Sequence, residues 1–177
     1  MTFKLAALGD AAVGKTSCLR RYREGTFDAD YTPTLGALFS KMMVELASTS
    51  GRKIMTQLVL WDLAGQELKA SLVKKYVAGA RLAIIVYDVT RPQTFKDVDL
   101  WYNILKEAEP DATVAIVGNK VDLVKHVPTE EAKAYADSID ALFYETSAKT
   151  GHNIEWMFTD LIYHFFKKHE EIKLLKH

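Results

Sequence analysis

The chain has 177 residues, 49% of them hydrophobic, which supports one domain with a sizeable core and gives no sign of a second. Lys plus Arg and Asp plus Glu number 23 each, so bulk charge offers no argument for nucleic acid or an anionic membrane as partner. With one cysteine there is no internal disulfide, no apolar stretch approaches the roughly 20 residues of a membrane span, and no secretory leader precedes the first strand, so a reducing, cytoplasmic setting is expected.

In chain order, the apolar run Phe3 to Leu8 predicts a buried strand and Ser17 to Glu24 a first helix. Between them stands Gly9-Asp10-Ala11-Ala12-Val13-Gly14-Lys15-Thr16, which fits the phosphate-loop pattern G-x-x-x-x-G-K-[ST] in the strand, loop and helix context that gives it meaning. A pyrophosphate is held by successive backbone N–H groups and by the positive end of the following helix, and the glycines let the backbone approach it closely. Lys15 would reach the β and γ phosphates, and the Thr16 hydroxyl would take one position on Mg2+. The phosphate contacts are therefore assigned to Asp10, Ala11, Ala12, Val13, Gly14, Lys15, Thr16 and Ser17. Cys18, just behind the loop, is expected to be a small buried residue rather than a reactive thiol.

Residues 25 to 38 read as a loop long enough to move, and residues 37 to 46 as a strand. A Ser-Thr-Ser-Gly turn signal within Ala47 to Lys53 and a returning strand from Ile54 to Trp61 predict a hairpin. Asp62 should terminate that third strand and help to hold Mg2+ through a water; Gly65 and Gln66 then lie over the γ phosphate. The Gln66 amide can accept from an attacking water and donate to charge developing on the phosphoryl group. A weak helix to about Tyr76, a strand from Ala80 to Tyr87, a helix over 92–108 and a strand from Thr113 to Val117 follow. Thr129 is expected to cap a helix running to Ser138, Ala141 to Tyr144 forms the last strand, and Ile154 to about Lys168 the last helix. Alternating strands and helices after an opening hairpin predict an α/β fold, a six-stranded mostly parallel sheet with helices on both faces and ligands at the carboxyl ends of the strands.

Asn119-Lys120-Val121-Asp122 and Glu145-Thr146-Ser147-Ala148-Lys149 each follow a strand. A carboxylate at Asp122 offers two acceptors to guanine N1–H and the N2 amine, a donor pair that adenine lacks, so Asp122 also discriminates against a P-loop ATPase or a small-molecule kinase. Asn119 would tie its loop to its neighbours and the base edge, the Lys120 stem would cover one base face, the Ala148 N–H would meet guanine O6, and Ser147 and Lys149 would complete the base and sugar contacts. Phe27 is expected to stack on the open face of the base, with packing against the first helix as the alternative. Tyr31 would close over the phosphates or only decorate the loop, and Thr34 would sense the third phosphate through its hydroxyl on Mg2+ and its N–H on a γ oxygen. His126, His152, His164, His169 and His177 carry no ligand motif and are expected at the surface or at helix ends. Trp156, Phe158, Tyr163, Phe165 and Phe166 are expected to form the packed face of the last helix.

Together with Thr34-Leu35-Gly36, Trp61-Asp62-Leu63-Ala64-Gly65-Gln66-Glu67 and Tyr87-Asp88-Val89-Thr90, these segments resemble the signatures of the Ras superfamily of small GTPases, with the Rab family nearest and its endosomal branch favoured by the phosphate loop and residues 34 to 39. The resemblance implies a P-loop NTPase of the G-domain fold over residues 1–170, the start of a C-terminal tail at 171–177, hydrolysis of GTP to GDP and phosphate, and Mg2+ held by Thr16, Thr34 and Asp62. It also implies an aromatic triad of Phe39, Trp61 and Tyr76 on the effector surface. Expected partners are a nucleotide exchange factor, a GTPase-activating protein and effectors; the chain would act as a monomer without nucleic acid, as a switch in vesicle trafficking at the cytosolic face of endosomal or other membranes. A soluble nuclear-transport GTPase of the Ran type and a non-hydrolysing guanine-nucleotide-dependent module are the alternatives. The chain departs from the Rab pattern at Ala11, Ala12, Leu63, Leu68 and Lys69 and in a longer hairpin. It ends Glu171 to His177 without cysteine, so a prenylated membrane anchor and a GDP dissociation inhibitor would both require a tail beyond these residues.

Overall fold

A computed structural model describes residues 2–30, 34–47, 53–64 and 69–168. Its six strands are β1 (Thr2–Leu8), β2 (Ala37–Ala47), β3 (Lys53–Leu63), β4 (Ala80–Asp88), β5 (Thr113–Asn119) and β6 (Leu142–Thr146). They lie in the order β2-β3-β1-β4-β5-β6, with β2 antiparallel to β3 and every other pairing parallel. The helices are α1 (Lys15–Glu24), α2 (Ala70–Val77), α3 (Pro92–Lys96), α4 (Val98–Ala108), α5 (Thr129–Ser138) and α6 (Ile154–Lys168).

The central strands are apolar on both sides because both faces are covered, and the two-residue period of a strand splits them between two cores. Leu5 and Ala7 of β1, Ile84 and Val86 of β4, and Ala115 and Val117 of β5 pack beneath α1 and α6. Their neighbours Ala6, Leu8, Ile85, Tyr87 and Ile116 face α2, α4 and α5. This is the expected α/β architecture. After β1 the chain builds the β2–β3 side of the sheet and then crosses to β4, β5 and β6, so the carboxyl end of β1 lies where the strand order reverses, the place where open α/β sheets take their ligands.

Helix α6 buries Ile154, Met157, Phe158, Leu161, Ile162, Phe165 and Phe166, an i, i+3, i+4 stripe, and Phe3 meets Phe165 and Phe166 edge-on at 5.1 and 5.2 Å. Trp156 is out of phase with that stripe and stays 60% exposed, and Tyr163 is only half-buried, so the expectation that both belong to the packed face is corrected. His126 and His152 are exposed and His164 is half-buried, 3.6 Å from Asp160; His169 and His177 lie outside the described residues.

Three further boundaries differ from expectation. Thr129 does not cap α5: Pro128 holds that position in extended backbone, while the Thr129 hydroxyl donates to Glu145 Oε1 at 2.7 Å at the end of β6. The helix expected over 92–108 is interrupted at Asp97 (φ −80°, ψ −7°), whose N–H is shared between Gln93 O and Phe95 O. Strands β3, β5 and β6 run on to Leu63, Asn119 and Thr146, so Asp62 sits inside β3, paired with Leu38, rather than ending it. The polar residues at these strand ends therefore stand on hydrogen-bonded ladder positions rather than on free loops.

Candidate functional site

The carboxyl ends of β1, β3, β5 and β6 open onto a cleft of about 520 Å3. Its wall includes Ala11, Ala12, Gly14, Lys15, Thr16, Ser17, Phe27, Thr34, Asn119, Lys120, Asp122, Ala148 and Lys149 of the residues singled out from the sequence, together with Arg20, Asp28, Ala29, Asp30, Ala64 and Leu123. Asp10, Val13, Asp62 and Ser147 do not line it. The Asp10 carboxylate turns the other way and accepts from Trp101 Nε1 at 2.9 Å, and Val13 is buried in the core under α1. Gly65, Gln66 and Tyr31 lie outside the described residues.

The loop from Gly9 to Gly14 is shaped by its glycines and by the side chains around it. At Gly14, φ is +100° and a Cβ would run into the Asn119 amide; at Gly9, φ is +130° and a Cβ would run into the Val86 carbonyl. Ala12 is left-handed without being glycine, at φ 60°. Helix α1 starts at Lys15, two residues earlier than expected, so its free N–H groups point into the cleft and favour an anion there. Lys15 is 6% exposed and donates to Gly9 O at 2.9 Å and Asp10 O at 2.6 Å. Burial pulls its pKa down to about 8, against the opposing pull of Asp62 and Asp10.

Three oxygens meet at the metal position expected from the sequence. Thr16 Oγ1 donates to Asp62 Oδ2, and Thr34 Oγ1 lies 2.9 Å from Thr16 Oγ1 and 3.5 Å from Asp62 Oδ2. Asp62 Oδ1 is buried with no hydrogen-bond partner among the described residues. Burial raises the Asp62 pKa, while Thr16 and Lys15 draw it back down. A hard, all-oxygen set with an unsatisfied carboxylate oxygen fits Mg2+, which takes one or two protein ligands and completes its shell with water and phosphate. Among the described residues no cluster of three or more His, Cys, Asp or Glu forms a cage for a metal.

On the other side of the cleft, Asn119 is 2% exposed and joins three segments: its Nδ2 donates to Val13 O at 3.0 Å, and its Oδ1 accepts from Ala148 N at 3.1 Å and Thr146 Oγ1 at 3.3 Å. The Ala148 N–H assigned to guanine O6 is thus already engaged and is offered to a ligand only as a shared donor. The Lys120 stem lines the cleft while its Nζ donates to Ala12 O at 2.7 Å and pairs with Asp88 Oδ2 at 2.6 Å. Asp122 is exposed and accepts from Ser147 Oγ at 2.5 Å. Arg21 of α1 braces this side, donating to Ala148 O at 2.8 Å and to Lys149 O and Gly25 O at 2.6 Å.

The model of the Ras family matches residues 4–167 of this chain. The chain belongs to the Ras family. This GTPase is 41% identical over 161 residues to the Ras-related protein Rab-22A of Homo sapiens, covering 89% of this chain and 80% of that protein. It is 42% identical over 158 residues to the Ras-related protein Rab-31 of Rattus norvegicus, covering 88% and 78%. It is a Rab-like small GTPase.

In this GTPase the three aromatic residues of the expected effector surface are contiguous: Phe39 and Trp61 stack at 5.8 Å between centroids, and Trp61 and Tyr76 lie at 6.0 Å. Phe39 is 66% exposed, beside exposed Leu38 and Leu35. Leu63, which departs from the Rab pattern, is fully buried in the core against which Tyr76 packs. Sequence reasoning missed three residues that brace the loops around the cleft of this GTPase, Asp88, Arg91 and Arg21. Asp88 appeared there only within a family signature, although a carboxylate closing the apolar run of β4 was a signal in its own right. Nothing in the local sequence marks Arg91 or Arg21.

Proposed function

We propose that this chain binds GTP and GDP with Mg2+, hydrolyses GTP, and cycles between two states as a switch in membrane trafficking. The observation that carries this reading is the meeting, in one cleft, of a phosphate loop and a base loop joined by the buried Asn119 side chain. Lys15 and the N–H groups at the start of α1 take the β and γ phosphates; Asp122 selects guanine; Phe27, Lys120 and Lys149 enclose the base and sugar. Mg2+, held by Thr16, Thr34 and Asp62, would neutralise charge on the β and γ phosphates. Gln66 orients the water that attacks the γ phosphorus in line, and Gly65 offers its N–H to a γ oxygen. The experiment is displacement of labelled GDP: unlabelled GTP should compete and ATP at comparable concentration should not, and competition by ATP would overturn the base assignment.

Thr34 belongs to the loop after α1 and its hydroxyl meets the metal oxygens, so loss of the γ phosphate would free residues 31–39, and effectors reading Phe39, Trp61 and Tyr76 would respond to nucleotide state. Exchange factors and activating proteins set the rates, and the resemblance of the phosphate loop and residues 34 to 39 to the endosomal Rabs supports a role at endosomal or other vesicle membranes. Among the described residues no helix is long and apolar enough to cross a bilayer.

Gln66→Leu keeps the volume and removes both polar functions. Single-turnover phosphate release is expected to fall by at least about tenfold, roughly 1.4 kcal/mol of transition-state stabilisation, with GTP affinity nearly unchanged. Equal rates for the two proteins, with and without an activating protein, would remove Gln66 from the chemistry.

A further inference from the structure

Every carbonyl of the phosphate loop from residue 9 to residue 13 accepts from a side chain. Lys15 Nζ takes those of Gly9 and Asp10, Arg91 Nη2 takes that of Ala11 at 3.0 Å, Lys120 Nζ that of Ala12 at 2.7 Å, and Asn119 Nδ2 that of Val13 at 3.0 Å. A planar trans peptide carries its C=O and N–H on opposite sides, so a carbonyl fastened on the outside of the loop turns the next N–H toward the inside. Four of the five carbonyls are held by residues of the phosphate and base motifs. The fifth, Ala11, is held by a residue of neither.

Arg91 reaches Ala11 from a fixed base. Its Nε donates to Asp88 Oδ2 at 3.1 Å, and Asp88, 1% exposed at the end of β4, also accepts from Lys120 Nζ and from the Thr90 N–H and hydroxyl at 2.9 and 2.6 Å. Burial alone would raise the Asp88 carboxyl, but the Lys120 and Thr90 hydrogen bonds together outweigh it and hold the group below its ordinary range. One buried carboxylate thus anchors two cations that fasten two consecutive carbonyls of the loop. Nε and Nη2 lie on the same edge of the planar guanidinium, so Arg91 spans carboxylate and carbonyl with two separate nitrogens in a fixed fork; a lysine at position 91 would have to bring one nitrogen within reach of both.

We propose that Arg91, anchored by Asp88, is a positioning residue of the phosphate site: it fixes the Ala11–Ala12 peptide with its carbonyl outward and the Ala12 N–H directed at the β phosphate. This rests on the cleft being a guanine-nucleotide site. The Ala11–Ala12 peptide needs such a hold because Ala12 is kept in the left-handed region, which an alanine leaves readily.

The test is the affinity of wild type, Arg91→Ala and Arg91→Lys for GDP and for GMP, which lacks the β phosphate, with unfolding of the nucleotide-free proteins followed in parallel. Arg91→Ala should weaken GDP binding by about fivefold and leave GMP binding unchanged, with at most a small fall in the unfolding midpoint because Lys120 and Thr90 still satisfy the buried Asp88. Arg91→Lys should recover only part of the loss. Unchanged GDP affinity in Arg91→Ala, or equal losses for GDP and GMP, would overturn the positioning role. A wild-type chain that binds GMP and GDP equally would do the same, and one that binds no guanine nucleotide would overturn the site assignment itself.

Discussion

Asp122→Asn is expected to lower GDP affinity by about a hundredfold and to confer binding of xanthosine diphosphate. The carboxylate offers two acceptors to two neighbouring donors on guanine, and hydrogen bonds to a charged group contribute about 1.5 kcal/mol or more each, so losing the pair costs about 3 kcal/mol. An amide presents one acceptor and one donor, which matches xanthine, where an oxygen replaces the exocyclic amine. The exposed position of Asp122 means that the substitution leaves the core untouched, and Ser147 Oγ can donate to the amide oxygen as it does to the carboxylate. Competition of labelled GDP by xanthosine diphosphate in both proteins is the measurement. An unaltered preference for guanine would place base selection elsewhere in the cleft.

The second large effect concerns Lys15. Removal of its ammonium by Lys15→Met should weaken GDP binding by about a hundredfold at pH 7, since two charge-assisted contacts to phosphate are lost in a buried setting. Wild-type affinity should also depend on pH in a direction fixed by burial. In the free protein the Lys15 pKa is lowered from 10.5 to about 8, so binding an anion that requires the charged form takes up a proton above that pH. Affinity should therefore be flat below pH 7 and fall about tenfold between pH 7 and pH 9. The same shift acts on folding with the opposite sense: the unfolded chain holds more protons between about 8 and 10.5, so the contribution of Lys15 to stability rises with pH over that window. Equilibrium titration of GDP at several pH values tests this, with Lys15→Met losing the dependence. A wild-type affinity that does not change up to pH 9 would mean either that burial does not lower the Lys15 pKa in the free protein or that Lys15 does not meet the phosphates in charged form, and the loss of affinity in Lys15→Met separates the two.

Much of the fold was legible because its signals are local. The apolar runs of β1, β4 and β5 announced buried strands, the alternation with helices announced a covered, mostly parallel sheet, and glycines at 9 and 14 stood where the backbone has positive φ. The periodicity of α6 was equally visible, but Trp156 was assigned to its packed face by residue type rather than by phase, and phase decides burial. Strand ends were misjudged at Asp62 and Asn119 because a polar residue looks like the end of a run, whereas ladder pairing with Leu38 and Thr146 keeps it in the strand.

By itself the sequence determined the class of fold, the family signatures and the residue types that bring phosphate, metal and base chemistry to the strand ends. Only the tertiary structure decided how those residues are held. Asn119 lies far along the chain from Val13, Arg91 far from Ala11 and Arg21 far from Ala148, and no periodicity or short motif encodes a hydrogen bond across such separations. It also decided that Asp10 faces Trp101 instead of the cleft, and that Ala148 N–H is engaged by Asn119. The physical reason is that a motif specifies donors and acceptors, while the direction in which a buried polar group points depends on which partner the packed sheet and helices bring within reach.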